Sequence, residues 1–521
     1  MRSETIESLF ARYGPGYKWL ATFTVMLGTI PAMLTSTTVN VAIPDIMGAF
    51  GVGQDRAQWL STGMLAAMTV GMLVAAWLVA HFGLRRTFVA ALCVFVAALL
   101  VAANSPNITV LILARVVQGA VAGVLQPLSM YTLFKVFPPE QRGTAMGLFG
   151  VSVILGPALG PTLGGILIED FSWRSIFYVG VPVCAVGTLM GSLFLPGREE
   201  DTPRARFDFP GFMLLGMALT CLLTALSNGQ REGWSSDYIL TLFAVAGAAT
   251  ATFFAWERRT ARPLVNLRVL GNAQFTCAAC VAFIFGAGMF GSTYLVPLFV
   301  QTVQHLTPLA AGILLMPAGL ILGVFMPIGG FLSDRISARK LIVTGLVCFA
   351  ASAYWLADID VNTSFWTLAW CVVLSRIGLA LIKPSLNLAA LKALRPELLG
   401  QGAGMINFSR QLGGAFGVNL LSVTLDRRTF FHSDTLTAMQ TAANSATSDL
   451  LRLIEQALAQ AGASPDLQSA GALHYLGRVV YAQAYTMGFR DTFVIIGLVF
   501  TLALIPAWIM GRVKQLAVAA H

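Results

Sequence analysis

Four basic residues, Arg115, Arg376, Lys383 and Arg410, stand deep inside apolar stretches of the chain, and no Asp or Glu lies at comparable depth. An ionisable group inside a bilayer is costly and marks either a pathway or a structural clamp. Polar partners repeat at helical spacing. Arg115, Gln118 and Gln126 share one helix face, as do Arg376, Lys383 and Asn387, and Asn407 pairs with Arg410. A basic cavity lined by these side chains would attract anionic amphiphiles and repel lipophilic cations. The competing reading is that each cation snorkels to the interface or binds carbonyls freed near Pro127 and Pro384. A guanidinium stays protonated and cannot carry a proton. The groups placed to do so are Asp45, Glu169 and Asp170, each equally a solvated helix end, or a carboxyl group of the substrate itself. Phe283, Phe285, Phe290 and Tyr294 either line an apolar pocket or pack against lipid and neighbouring helices.

Enzyme chemistry finds no constellation. There is no H-E-x-x-H and no embedded carboxylate pair, so no catalytic residue is assigned. The seven cysteines fall inside apolar runs, and the C-x-x-C pair Cys277 and Cys280 has no second pair or nearby His to complete a metal site.

The elements that must position these groups are membrane helices. Of the 521 residues 56% are apolar and only 11% charged, against about 25% charged in soluble domains. Reading apolar stretches of about 20 residues as spans gives fourteen, and the first is too long for a signal-peptide core. The net charge of +9 resides largely in loops on the side of the termini, which makes that side cytoplasmic; a nucleic-acid partner is not expected. Two halves repeat. Lys340 follows Arg86 by 254 positions, Arg376 follows Arg115 by 261 and Pro396 follows Pro139 by 257. The expected architecture is all-α and integral to the membrane: a six-helix bundle (1–198), two inserted helices (199–268) and a second six-helix bundle (269–521). A long loop over 425–487 lies on the outer side. Leu450, Leu451, Leu453, Ile454 and Leu458 give it an amphipathic helix, which serves either as a docking surface or as a cap on the membrane.

Between Gly150 and Gly165 the chain is too apolar for a loop and too rich in Gly and Pro for a helix in water. In lipid, Gly156, Gly160 and Gly164 form a bare stripe that lets another helix approach. Pro157 and Pro161 lie beside it and are expected to bend the helix.

The pattern at Gly156, Gly160, Pro161, Gly164 and Gly165 resembles the fifth-helix motif of drug antiporters in the major facilitator superfamily. Val39 to Pro44 resembles the end of the first-span motif, and Arg115, Gln118 and Gly119 the fourth-span motif. Gly83, Arg85 and Arg86, and again Asp334, Arg335, Arg339 and Lys340, resemble the two gating loops. Trp173-Arg174 and Val181-Pro182 resemble the entry to span six. With fourteen spans the chain is similar over nearly its whole length to EmrB/QacA-type drug:proton antiporters, and the long loop ahead of Phe489-Arg490-Asp491-Thr492-Phe493 resembles the EmrB branch. Two departures stand out. The usual first-span Asp aligns with Thr35, and the usual acidic and basic positions of the first gating loop align with Ala80 and His81.

The resemblance implies a major facilitator fold with a substrate site between the halves. It implies proton-driven export of small amphiphilic toxic compounds across a bacterial inner membrane, with no cofactor beyond the proton gradient. A periplasmic adaptor (membrane fusion) protein and an outer-membrane channel are implied as partners. The embedded cations point further, to lipophilic weak acids. Two alternatives remain: a dedicated exporter of one metabolite or siderophore, and a polytopic membrane enzyme or sensor.

Overall fold

The computed structural model describes residues 5–198, 207–260, 263, 269–441 and 443–510. The linker over 199–206, most of 261–268 and the side chains of Pro157 and Pro161 lie outside the described residues, as do the domain boundaries placed there. The described chain is helical, with no strand. Prolines 31, 44, 127, 297, 317, 327 and 384 all sit inside helices. Neighbouring helices and the absence of competing water make such continuity tolerable.

The first group comprises α1 (Ile6–Tyr13), α2 (Tyr17–Phe50), α3 (Gln54–Ala57), α4 (Trp59–Phe82), α5 (Leu84–Ala103), α6 (Ile108–Val136), α7 (Arg142–Asp170), α8 (Ser175–Tyr178) and α9 (Gly180–Phe194). A pair follows, α10 (Phe209–Glu232) and α11 (Asp237–Arg259). The second group comprises α12 (Ala273–Thr302), α13 (Pro308–Arg335), α14 (Ala338–Leu356), α15 (Phe365–Lys392), α16 (Leu399–Ala438), α17 (Ser445–Gln460) and α18 (Pro465–Leu502). Asn107, Asn272, Thr307 and Ser364 cap α6, α12, α13 and α15 with their side-chain oxygens, satisfying donors that would otherwise be left open at the helix ends.

Among the described residues, twelve helical stretches are long and apolar enough to cross a membrane. α7 and α16, at 29 and 40 residues, are not among the twelve. The described residues thus give twelve qualifying stretches against the fourteen spans expected; α7, part of which lies outside the described residues, and the more polar α16 are long helices at the two remaining expected positions. Leu189 and Leu320 are more than 60% exposed at mid-helix, as lipid-facing side chains are.

Within each group close approach is bought by glycine: a Cβ at Gly119 or Gly123 of α6 would overlap carbonyl oxygens of α4, and one at Gly286 of α12 the Arg410 carbonyl of α16. The groups meet along two seams, α7 against α13 and α4 against α16. The pair α10–α11 lies over the second seam. Leu215 and Leu219 of α10 and Phe253 of α11 pack with Val70 and Leu73 of α4 and with Met405, Phe408 and Leu412 of α16. We call the face where α2 begins the terminal face, and the opposite one the far face.

The long loop is more helical than its apolarity indicates. α16 continues to Ala438 and α18 begins at Pro465, so only 439–444 and 461–464 connect them with α17. α17 contains the expected amphipathic segment and packs on α18.

Candidate functional site

At mid-depth the two groups are joined by polar side chains. Arg410 Nη2 of α16 donates to Gln126 Oε1 of α6 at 2.6 Å. Lys383 Nζ of α15 donates to the Gly150 carbonyl of α7 at 3.5 Å and lies 5.5 Å from the centre of the Phe149 ring. Asn407 Nδ2 donates to Ala403 O at 2.8 Å and points to Met130 Sδ of α6 at 3.2 Å. Gln126 Nε2 turns to Met33 Sδ of α2 at 3.0 Å. Each of these contacts except the one to Ala403 pairs with the first group or lies within it. At 1.5 Å per residue, Gln126, Gly150, Lys383, Asn407 and Arg410 all stand roughly 12–17 Å from the terminal ends of their helices, which puts them in one layer.

The layer is buried and positively charged. Lys383, Arg410, Asn407 and Gln126, with Asn387 one turn of α15 nearer the terminal face, are all at least 94% buried. Among the described residues, no carboxylate forms an ion pair with Lys383 or Arg410. Two cations side by side in a low-dielectric layer favour an anion between them, because desolvation has removed the water that would otherwise screen them.

Arg115 and Arg376 are placed differently. Arg115 is fully buried within the first group, where Nη1 donates to Thr35 O at 3.1 Å and Gln118 Oε1 at 3.0 Å and Nε to Leu60 O at 3.2 Å. Gln118 Nε2 passes the chain on to Ala98 O of α5 at 3.1 Å. Arg376 stays within the second group, donating to Ser292 Oγ at 3.3 Å and Thr293 Oγ1 at 3.2 Å on α12. The structure thus brings Gln126, Lys383, Asn407 and Arg410 to the seam and turns Arg115, Gln118 and Arg376 inward, as carbonyl and hydroxyl clamps.

On the terminal face one carboxylate ties the two groups together. Asp334, near the end of α13, accepts from Gly143 N at 2.6 Å, Thr144 N at 2.8 Å and Thr144 Oγ1 at 2.7 Å. A carboxylate at the start of α7 satisfies open N–H groups and meets the positive end of the helix dipole. Arg339 stacks on Trp508 at 3.8 Å and Arg335 on Phe331 at 4.2 Å, while Lys340 and Arg86 are exposed. Gly83, at φ 82°, turns α4 into α5 against Arg198, and Arg85 Nε holds Leu195 O at 2.6 Å. Ala80, at the position matching Asp334, is exposed and has no side chain to cap anything.

α7 meets both neighbours through bare faces. A Cβ at Gly156, Gly160 or Gly164 would overlap α2 at Met33, Thr37 or Thr38, whereas one at Gly165 would meet nothing within 4 Å. Gly143, Gly147 and Gly150 do the same toward α13. Asp45, Glu169 and Asp170 are exposed at the far ends of α2 and α7. Phe285 is buried, Phe283 and Phe290 are half-buried and Tyr294 is 38% exposed.

One cluster was not foreseen. On the far side Asp491 of α18 accepts from Arg428 Nε at 2.5 Å and bonds His432 Nε2 at 2.7 Å, both on α16. Arg490 donates to Ala357 O at 2.7 Å, tying α18 to the end of α14. The Phe489–Phe493 motif contains Asp491, but partners some sixty positions away leave no signal in local spacing. Among the described residues no three His, Cys, Asp or Glu side chains gather to hold a metal ion.

A family model described as Major Facilitator Superfamily matches residues 25–418. The chain is 31% identical over 421 residues to the multidrug export protein EmrB of Escherichia coli K12, covering 80% of this chain and 82% of that protein. It is 31% identical over 403 residues to the methylenomycin A resistance protein of Streptomyces coelicolor, covering 76% and 84%. Among solved structures it aligns with the proton:xylose symporter XylE at a TM-score of 0.62 and 13% identity, over 95% of this chain and 96% of that one. The human organic anion transporter MFSD10 aligns at 0.59 and 14%, over 93% and 99%.

Proposed function

From the premise that the chain belongs to the Major Facilitator Superfamily, and is a transporter rather than an enzyme, we propose that it is a proton-driven exporter of amphiphilic toxic compounds that favours lipophilic weak acids in their anionic form. The observation that carries the substrate preference is the seam layer, where Lys383 and Arg410 are buried together without a carboxylate partner among the described residues. Names of relatives that speak of multidrug export and antibiotic resistance support the export of small toxic molecules.

On this reading the two helix groups are matched six-helix bundles, α10–α11 is the insertion between them, and the bundles rock about the layer. The terminal face is cytoplasmic, and the Asp334 latch holds it closed in the form described. An anion leaving a negative-inside cell also moves down the membrane potential, gaining about 2.3 kcal/mol per charge per 100 mV. Asp45, Glu169 and Asp170, open to water at the far face, are the carboxylates available to take up protons there. The outer extension of α16, α17 and α18 offers a surface for a periplasmic adaptor leading to an outer-membrane channel.

The test is transport by the purified protein in proteoliposomes with an imposed pH gradient, comparing a lipophilic acid with a lipophilic cation. Gradient-dependent movement of the acid in preference to the cation is expected. A preference for ethidium-like cations would overturn the acid reading, and movement indifferent to the gradient would overturn proton drive.

A further inference from the structure

The seam layer, with the turn of α15 just beneath it, contains unmet hydrogen-bonding capacity of both signs. Asn387 Nδ2 and Asn407 Oδ1 are buried with no partner among the described residues, and such atoms cost about 1–3 kcal/mol each when left unpaired. The Asn407 amide is fixed the right way round, because its Nδ2 is spent on Ala403 O at 2.8 Å and Met130 Sδ at 3.2 Å. Exchanging its two ends would set oxygen against the Ala403 carbonyl. Asn407 Oδ1 is therefore an acceptor awaiting a donor, one helical turn from Arg410. The other three groups are donors. Asn387 follows Lys383 by one turn of α15, so that its Nδ2 and the Lys383 ammonium project from the same face. Among the described residues Lys383 makes one long bond, at 3.5 Å, with three N–H groups to place.

A simple carboxylate would answer only part of this. It accepts from Lys383, Arg410 and Asn387 but has nothing to offer Asn407 Oδ1, whose desolvation would then stay uncompensated. We infer that the layer is a two-signed socket for acids that carry a hydrogen-bond donor next to the charge, such as an amide N–H or hydroxyl one or two atoms from the carboxylate, with the apolar remainder lying between the helix groups. N-acyl amino acids have this chemistry, whereas plain aryl or fatty acids lack the donor. The inference rests on the acid reading above and narrows it to a subclass. Discrimination by an unpaired buried acceptor is the stronger kind, because a site built to accept a hydrogen bond penalises the analogue that cannot give one.

The experiment uses two acids of nearly one shape. Benzoylglycine and 3-benzoylpropionate differ only by N–H against CH2, and both are anions at neutral pH. Binding to the full-length protein in lipid nanodiscs is measured by calorimetry at pH 7.5, with ethidium as the cationic control. Benzoylglycine is expected to bind about tenfold more tightly. In Asn407→Leu, checked for folding by its chromatographic profile and thermal transition, the ratio is expected to fall toward one. Should that variant not fold, the wild-type ratio decides alone. Equal binding of the two acids by the wild-type protein overturns the inference and leaves the acid reading standing. A tenfold ratio that survives in Asn407→Leu overturns the role given to Asn407. Binding of ethidium with neither acid bound overturns the inference together with the acid reading, so the two failures are distinguishable.

Discussion

The two seams between the helix groups occupy places that the sequence offsets pair, share one close approach (Gly147 to the Met326 carbonyl, Gly404 to the Met72 carbonyl) and differ at the terminal face. At the α7–α13 seam a Cβ on Gly143 would stand 2.5 Å from the Gly330 carbonyl and 2.7 Å from Asp334 Oδ1. At the α4–α16 seam the matching Gly400 has only Ala76 near it, at 3.7 Å for an added Cβ. The first seam carries three hydrogen bonds to one carboxylate. The second has Ala80 in that position and a covering of apolar side chains from α10 and α11. The seam without the acid is thus the one covered by the helix pair. A charge-based latch is short-ranged, directional and broken by water, whereas apolar cover in lipid holds weakly over a wide area, since lipid tails are as apolar as the side chains themselves. The seams should therefore part unequally, the polar one abruptly and the apolar one gradually.

Asp334→Ala tests this most severely. Removing an ionised acceptor of three bonds should cost about 2–3 kcal/mol, shifting the closed-to-open ratio at the terminal face roughly 30- to 150-fold. Distances between spin labels on the terminal ends of α7 and α13 would show it, and an unchanged distribution would mean the latch is idle. Arg410→Met comes next: Gln126 Oε1 loses its partner and the layer loses a charge, so transport of a lipophilic acid should fall about tenfold or more, while Arg410→Lys restores part of it. Ala80→Asp should install the missing latch opposite Gly400 and Gln401, favour the closed form by about tenfold and slow turnover; faster turnover would show that the second seam is not limiting. The smallest effect is expected from Phe253→Ala, a two- to fivefold shift seen by labels on α4 and α16 but not by those on α7 and α13. A larger response at the α7–α13 labels would erase the distinction between the seams.

What the sequence disclosed follows the reach of each signal. The stripe at Gly156, Gly160 and Gly164 was legible because small residues at a spacing of four lie on one helix face whatever packs there, and α2 is what packs there. Asp334 was legible as a gate residue, but its partners were not, since Gly143 and Thr144 lie some 190 positions away. Arg115 and Gln126 share a face of α6, yet the first is held by α2 and α4 and the second meets α16. Periodicity fixes direction about an axis but not which neighbour stands at each height. The helical extension over 425–438 escapes the apolar signal for a related reason. Apolarity ends where lipid ends, and a helix that continues into water loses that mark while keeping its backbone bonds.

α16 runs unbroken for 40 residues, from Gly400 beside Ala76 at one face, past Arg410, to His432 bonded to Asp491 at the other. A helix of that length is a rod of about 60 Å. Its hydrogen-bonded backbone resists stretching, so displacement of its far tip must be taken up as tilt or rotation lower down, where the tip's leverage turns on Arg410 as on a pivot.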